Sequence, residues 1–520
     1  MSLLLVWSLA VSGQFGGPAG FPQPPAGVQQ SLDPDLSPGS APPPGAEVLT
    51  RGPIHEAFAT PVVYNPAPAM VIPKPPPAGA VEEVPPDQKP VGADVEWIPG
   101  YWAWDDQRGD YIWVSGVWRD IPPGRQWVPG YWSQMPGGFG WTAGFWAPAQ
   151  PAGPIDYLPP PPASLETGPN APQPGENFAW NPGLWVWQTD HYGWQPGYWY
   201  EAQPNWIWSP ASYQPTPSGY VYNGGYWDYS LQRRGLPFAP LAFNGGAPVQ
   251  PVSFTPNLVL PIGGLLANLF VRPNSGRYYY GDYYNAANVG NNPQYVPWMN
   301  FRNNRVGYDP FYSSMAALNA RQPNWDQRYR EGYQERFANI AARPLPTFNA
   351  QRAAMVERQA RGEDLRQLGL VEPLGRGRND LNAAQALVAV GQDHRQELQR
   401  RQLEMNRFQE ARTRQEEQGR MAELNRNVRM EDARRTLFRN ELPRSPIAAA
   451  EHPRYESRGL IAAPPHPPGQ ASFRPEFGPH RTEIPVVSHR TPEPPRPIPH
   501  PGPAPHPDRP REEHRPDRPR

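Results

Sequence analysis

Large aromatic residues recur through residues 97–227 in pairs five apart with a glycine between them, in the pattern W-x-x-G-x-W. The unit is intact at Trp97/Gly100/Trp102, Trp113/Gly116/Trp118, Trp127/Gly130/Trp132, Trp141/Gly144/Trp146, Trp180/Gly183/Trp185 and Trp194/Gly197/Trp199. Two altered copies follow, Trp208/Ala211/Tyr213 and Tyr222/Gly225/Trp227. Successive copies are mostly 14 residues apart, which suits a strand of about eight or nine residues plus a turn, the spacing of an antiparallel meander. Residues 110–120 read as one such strand and residues 121–124, Ile-Pro-Pro-Gly, as the turn after it. Proline precedes the glycine at Pro99, Pro129, Pro182 and Pro196. Mid-strand proline removes a ladder donor and predicts a bulge, where glycine supplies a positive φ. An extra bulge residue would bring the two tryptophans of a motif onto one face. The rival reading makes Pro-Gly a type II turn and each motif its own small hairpin.

The repeats are themselves duplicated. Trp113, Trp127 and Trp141 map onto Trp194, Trp208 and Tyr222 by a shift of 81, and Trp97 maps onto Trp180 by 83. The additional tryptophans Trp104 and Trp187 occupy the same place in each copy. A four-repeat block, residues 93–148, is therefore followed by its copy, residues 177–230, through a proline-rich connector, residues 149–176.

The flanks carry other patterns. Residues 14–92 hold 20 prolines and no tryptophan, which reads as a disordered, polyproline-like lead. Residues 443–520 hold 22 prolines and seven of the ten histidines, and read as a disordered tail. Residues 231–345 form an aromatic-rich α+β extension. In it, residues 256–271 read as a strand and a short helix, and the tyrosine cluster of residues 278–284 is placed to close a sheet edge. Asn324 is the expected N-cap of a helix whose stripe is Trp325, Tyr329, Tyr333, Phe337 and Ile340. Residues 346–442 read as a long charged helix or weak coiled coil. Leu387, His394, Leu398, Met405 and Phe408 follow approximate heptads, as do Met421, Leu424 and Val428. Between Gln409 and Arg420 no large apolar residue occurs, and Gly391 and Gly419 are expected to interrupt the helix. The fold class that follows is mainly β in the ordered core, an antiparallel meander of duplicated repeats, with an α+β extension and a charged helix between two disordered arms.

The repeats, above all Asp110-Tyr-Ile-Trp-Val-Ser-Gly-Val-Trp118 and Gln126-Trp-Val-Pro-Gly-Tyr-Trp132, resemble the bacterial YXWGXW-repeat proteins, also called WXXGXW-repeat proteins. The resemblance covers residues 97–227. It implies export and a repeat fold, and brings no catalytic, cofactor or metal-binding residues.

Composition narrows the chemistry. Cysteine is absent, which excludes disulfides, thiol nucleophiles and cysteine-held metals. Lys74 and Lys89 are the two lysines. The net charge of −1 conceals an acidic first half and a basic second half, a split that argues against a dedicated nucleic-acid binder and for self-association or an anionic partner. An apolar run from Leu3 to Val11, followed by Ser12 and Gly13, has the form of a signal peptide, residues 1–13, so the expected location is periplasm, outer envelope or extracellular space. No stretch has the length and apolarity of a membrane span.

Twelve tryptophans are the candidate ladder: Trp97, Trp102, Trp113, Trp118, Trp127, Trp132, Trp141, Trp146, Trp180, Trp185, Trp194 and Trp199. Core packing is the favoured role, because each aromatic buries about 150–250 Å². A platform for polysaccharide or another polymer is the alternative. Asp105, Asp106 and Asp110 share one loop and have oxygen ligands of the kind calcium takes, but a solvated turn explains them as well. The histidines of the tail are too scattered for a metal site, and its arginines suit an anionic wall polymer. No phosphate loop, nucleophile elbow or dinucleotide fingerprint occurs, and no cofactor is implied. The expected function is a non-enzymatic scaffold of the cell envelope, binding other envelope proteins or itself through the 346–442 helix; the alternative is a glycan- or polymer-binding module.

Overall fold

Two motifs, not one, make each hairpin. In the first, Val95–Ile98 and Tyr101–Asp105 run out, and Asp110–Val114 and Val117–Asp120 return against them. Trp97 lies opposite Trp118, and Trp102 opposite Trp113. The second hairpin pairs Trp127 with Trp146 and Trp132 with Trp141. The third pairs Trp180 with Trp199 and Trp185 with Trp194. The fourth pairs Trp208 with Trp227 and Tyr213 with Tyr222. These cross-strand rings have centroids 5.2–5.6 Å apart, mostly edge to face, the arrangement that aromatic quadrupoles favour.

The computed structural model describes residues 41–449, apart from residues 79–80, 151–152, 249, 286–293, 302–306, 323, 363–368, 376–385, 428–436 and 442. The expected signal peptide, residues 14–40 of the lead, Val428 and almost all of the proline-rich tail lie outside the described residues.

Every hairpin is interrupted midway, but not by a bulge. The register before and after Pro99-Gly100 is the same, with two unladdered residues on each strand and none extra. The pleat therefore continues, and tryptophans five apart point to opposite faces. Trp97 and Trp118 pack with Leu236, Phe238 and Leu398, whereas Trp102 and Trp113 face the main core. Nor do the motif glycines need positive φ, which is found instead at turn residues such as Gly109, Gly124 and Gly137. Their requirement is close approach. A Cβ on Gly100, Gly116, Gly130, Gly144, Gly183, Gly197 or Gly225 would lie 2.4–2.8 Å from the first tryptophan of the facing motif. Each indole lies across the glycine of its partner strand. At the one altered glycine, Ala211, the facing ring is Tyr222 in place of tryptophan, so a smaller ring meets the larger residue.

Backbone pairing among the motif strands stays within each hairpin, and aromatic contacts join hairpins in pairs. The Trp132 indole donates to the Trp102 carbonyl at 2.9 Å, and in the second block the Tyr213 hydroxyl donates to the Trp185 carbonyl at the same distance. The ring pair Tyr111–Trp132 is likewise repeated as Tyr192–Tyr213. The duplication thus extends to how hairpins pack. Asp228 of the fourth hairpin is buried between Arg119 of the first, at 2.5 Å, and Arg234, at 3.1 Å.

Several elements differ from the sequence expectation. Residues 41–78 and 81–92 are not a solvated arm: Leu49, Ile54, Phe58, Ile72 and Val81 are buried. A proline-rich segment lacks donors but still presents carbonyls, and hairpin tyrosines satisfy them, Tyr111 at Lys74 and Tyr220 at Pro66. The tyrosine strand Arg277–Tyr280 is an inner strand, flanked by Gly52–Pro53 and Leu269–Arg272. The helix expected from Asn324 spans Gln327–Ala338; Tyr329 and Tyr333 pack inward, and Ile340, beyond its end, is exposed.

The long helix, Gln392–Asn427, begins after Gly391 and runs through Gly419 unbroken; glycine stands at 419 to clear Ser218 and Phe438, which a side chain there would strike. Leu398, Met405 and Phe408 are buried within the chain, so this part of the heptad seam is not available for self-association. The apolar gap after Gln409 is filled by a buried ion pair, Arg412–Glu416 at 2.9 Å. Glu416 accepts from the Tyr131 hydroxyl at 2.5 Å and the Tyr157 hydroxyl at 3.1 Å. Arg401 reaches Glu96 and Arg439 reaches Asp156, at 2.5 and 2.6 Å. The basic second half thus pairs with the acidic first half inside one chain. Among the described residues no helix is long and apolar enough to cross a membrane.

Two outcomes follow from this packing. Gly116→Ala puts a Cβ 2.4 Å from Trp97 and 2.6 Å from the Ile98 carbonyl, and is expected to cost about 1–3 kcal/mol in chemical denaturation; Ala211→Gly should change stability by less than about 1 kcal/mol. Equal stability of Gly116→Ala and the parent would show that the indole contact does not select glycine. Asp228→Ala leaves two buried guanidinium groups without their carboxylate and should lower stability by about 3–5 kcal/mol in the same assay.

Candidate functional site

An interrupted ladder frees backbone groups that must find other partners. The freed carbonyls meet side chains. Pro99 accepts from His55 Nε2 at 3.0 Å, Pro129 from Arg412 at 2.6 Å, and Pro182 from Asn181 at 3.1 Å. The freed N–H groups meet carboxylates. Glu83 accepts from the Trp113 indole at 2.8 Å, from Gly116 N at 2.9 Å and from Gly100 N at 3.0 Å. Glu56 accepts from the Trp141 indole and from Gly144 N, each at 2.8 Å. Glu166 accepts from the Trp180 indole at 3.3 Å and from Gly183 N. In all three the donors are a tryptophan and the glycine three residues later. The W-x-x-G half of the motif is thus a seat for a carboxylate, built from an indole N–H and a backbone N–H. In the fourth hairpin the Trp208 indole donates to the Asn181 side chain at 2.7 Å instead.

The third hairpin shows the seat as part of a longer grip. The connector crosses it with four aromatic side chains donating along its length. Tyr192 donates to the Pro159 carbonyl at 2.6 Å, Trp185 to Ala163 at 2.9 Å, Trp180 to the Glu166 carboxylate, and Trp199 to Ala171 at 2.8 Å. Carbonyl acceptors are independent of side-chain identity, so the grip reads an extended backbone and one acid.

Electrostatics differ among the seats. Burial drives the Glu83 carboxyl up to about 7, against the pull of its three N–H donors. Asp309, buried under Tyr312 N and the Tyr278 hydroxyl, is likewise pushed up to about 7. Glu56 has a cation, Arg277, at 2.5 Å. Burial, with a smaller contribution from Arg277, lowers His55 to about 4. Its ring is neutral, with Nε2–H on Pro99 and Nδ1 accepting from Ala57 N at 3.1 Å.

These arrangements place the residues that sequence had singled out. Of the twelve ladder tryptophans, Trp97, Trp102, Trp113, Trp118, Trp127, Trp146 and Trp180 are buried, while Trp132, Trp141, Trp185, Trp194 and Trp199 are half-buried. The acidic loop is a turn whose residues 106–109 are exposed, and its carboxylates are paired. Asp105 is buried against Arg51 at 2.8 Å, Asp106 pairs with Arg272 at 2.5 Å, and Asp110 pairs with Lys74 at 2.5 Å. The three carboxylates serve three separate cations, and among the described residues no group of three or more histidines or carboxylates is placed to hold a metal ion. Sequence reasoning missed the seated glutamates. Glu83 stands 14 residues before Trp97 and Glu166 stands 14 before Trp180, one full repeat period in each block, a signal that would have found both. Glu56 has no such mark.

The first and third hairpins, each opening a block with its carboxylate, coincide with matches of a family model to residues 96–119 and 175–200. The chain carries two copies of the WXXGXW repeat. No curated protein and no solved structure matches it. The WXXGXW hairpin can therefore be described from this chain itself: two tryptophan pairs on opposite faces, one indole of each pair across a glycine, and a central seat for one carboxylate.

The raised Glu83 carboxyl gives a pH prediction. Folded Glu83 holds its proton more tightly than the unfolded chain does, so its contribution is complete below its ordinary value of 4.5 and is lost as pH rises through about 7. Asp309 acts in the same sense. His55 acts oppositely, losing stability as pH falls from 6.5 toward about 4. Between about pH 6.5 and 8 the carboxyls dominate, and stability should fall at up to about 1.4 kcal/mol per pH unit for each. Urea denaturation at pH 6.5, 7.2 and 8 should show a shallower fall for Glu83→Gln than for the parent; identical slopes would rule out Glu83 as a source.

Proposed function

We propose that this protein is a non-catalytic scaffold of the cell envelope, exported by its N-terminal leader, whose WXXGXW hairpins gather extended, proline-rich segments. The observation that carries the reading is the grip on residues 159–171: four aromatic donors of one hairpin hold carbonyls and a glutamate of a segment with no regular structure. The same chemistry holds residues 66 and 74. Buried ionisable groups are matched to each other or to backbone groups, as in Arg119–Asp228 and Arg412–Glu416, which is how a packing element uses charge.

A second reading is favoured by one cavity. Block one leaves three indoles half-buried, Trp104, Trp132 and Trp141, and all three line a cavity of about 170 Å³ between the two blocks and the extension. Arg272 and Arg277 at its wall are neutralised by Asp106 and Glu56, so an uncharged ring such as a neutral sugar suits it better than an anion.

The scaffold reading is tested in cells producing the tagged full chain. Fractionation should place it in the envelope, with a mature N-terminus at Gln14, and in-cell cross-linking should join it to other envelope proteins. A cytosolic pool that retains Met1 and forms no cross-links would overturn the reading. Binding to insoluble polysaccharide that is lost on Trp132→Ala would favour the cavity.

A further inference from the structure

One of the differences between the duplicated blocks lies at a seat and the edge beside it. In block one, Trp113 and Gly116 hold Glu83, and the strand that carries Trp113 has a third strand on its outer edge, Leu241–Phe243, with Leu241 opposite Trp113. The shift of 81 carries this unit onto Trp194 and Gly197. There, neither the indole N–H nor the Gly197 N–H meets an acceptor among the described residues, and the strand Tyr192–Gln195 pairs with Leu184–Trp187 alone. Tyr192, Gly193, Trp194 and Gln195 are all half-buried, where Trp113 is buried. Glu166 does not serve this seat, because its two carboxylate oxygens take the Trp180 indole and Gly183 N.

The geometry points to the Trp194–Gly197 seat and the adjoining edge Tyr192–Gln195 as a docking site for an extended segment of a partner chain that carries a glutamate or aspartate. The occupant is identified by its counterparts in block one, where the equivalent donors take a glutamate from Val81–Glu83 and the equivalent edge takes a strand from a separate segment, Leu241–Phe243. Recognition combines main-chain pairing along an open edge with one acid read by two N–H groups. Three filled seats in this chain already show that the motif takes a carboxylate, and the grip on residues 159–171 shows that this hairpin holds extended chain. The inference rests on the scaffold reading only in supposing a partner.

The test uses the full chain and a fluorescent synthetic peptide of residues 77–90, the segment that seats Glu83. Anisotropy should show binding that weakens about tenfold or more when both peptide glutamates become glutamine, the loss expected for charge-assisted hydrogen bonds. Trp194→Phe, which keeps a ring and removes the N–H, should weaken binding by a similar factor, while Trp187→Phe on the same hairpin should not. Near-UV circular dichroism reports that both variants are folded. No binding at about 1 mM peptide, equal binding of the glutamine peptide, or full binding by Trp194→Phe would each overturn the proposal. Any of those results leaves the envelope location and the intrachain grips standing, and a cytosolic location would leave the seat chemistry standing.

Discussion

The contact on which the rest depends is an indole lying across a glycine of the facing strand. Each intact hairpin makes it twice, Trp97 on Gly116 and Trp113 on Gly100 in the first. Because the ring occupies the space a Cβ would need, glycine is required at that position and nothing larger fits. Because the ring is wide, the ladder opens by two residues on each strand, while register is kept and the two faces stay distinct. A hairpin with indole pairs on both faces can bury both, and so can sit between two layers with few aliphatic residues of its own. The substitution of Ala211 with Tyr222 opposite keeps the same balance of volumes, which marks the contact as the constraint and the glycine as its consequence.

Opening the ladder leaves backbone groups without partners, and much of the tertiary structure answers that need. The N–H groups draw in Glu56, Glu83 and Glu166 from other parts of the chain, and the carbonyls draw in His55, Arg412 and Asn181. All but Asn181, which is local to its hairpin, bring their own segments with them. The proline-rich lead, the connector and the long helix are thereby tied to the hairpins by polar groups as much as by apolar contact. A buried charge costs heavily unless paired, and here the pairs cross between chain halves of opposite sign, as in Arg277–Glu56 and Arg401–Glu96.

How much of this was legible depends on range. The repeats, their duplication, their antiparallel pairing and the helical second half are patterns of local spacing, and spacing is visible in a sequence. The faces were misjudged because Pro-Gly in a strand usually signals a bulge, whereas here steric clearance for a ring on the facing strand decides the conformation. The lead looked solvated because proline content reports missing donors and not satisfied carbonyls. The gap after Gln409 looked like a weakness in a coiled coil because Arg412 and Glu416 count as surface residues until Tyr131 and Tyr157 are placed beside them. The glutamate seats were half legible: the 14-residue period reaches back to Glu83 and Glu166, but an acid outside an aromatic motif attracts no notice until an indole N–H points at it.

The two glutamates at the same repeat position take different seats, and the reason lies in the symmetry of the hairpin. Exchanging the two strands carries Trp97 and Gly100 onto Trp113 and Gly116, so either half of a hairpin offers the same pair of donors. Which half is filled is set by the side from which the acidic segment arrives. Glu83 arrives on a strand, Val81–Glu83, that runs parallel to Val252–Phe254, and it reaches Trp113. Glu166 arrives on the connector beneath Trp185 and Trp199, and it reaches Trp180. In block one the seated Glu83 takes the N–H groups of both central glycines, Gly100 and Gly116, and the other indole, Trp97, is buried without a partner among the described residues. In block two the other indole is Trp194, which is not buried. A duplicated unit with two equivalent seats, one closed by its own chain and one left at the surface, can hold itself together and still present the same chemistry outward.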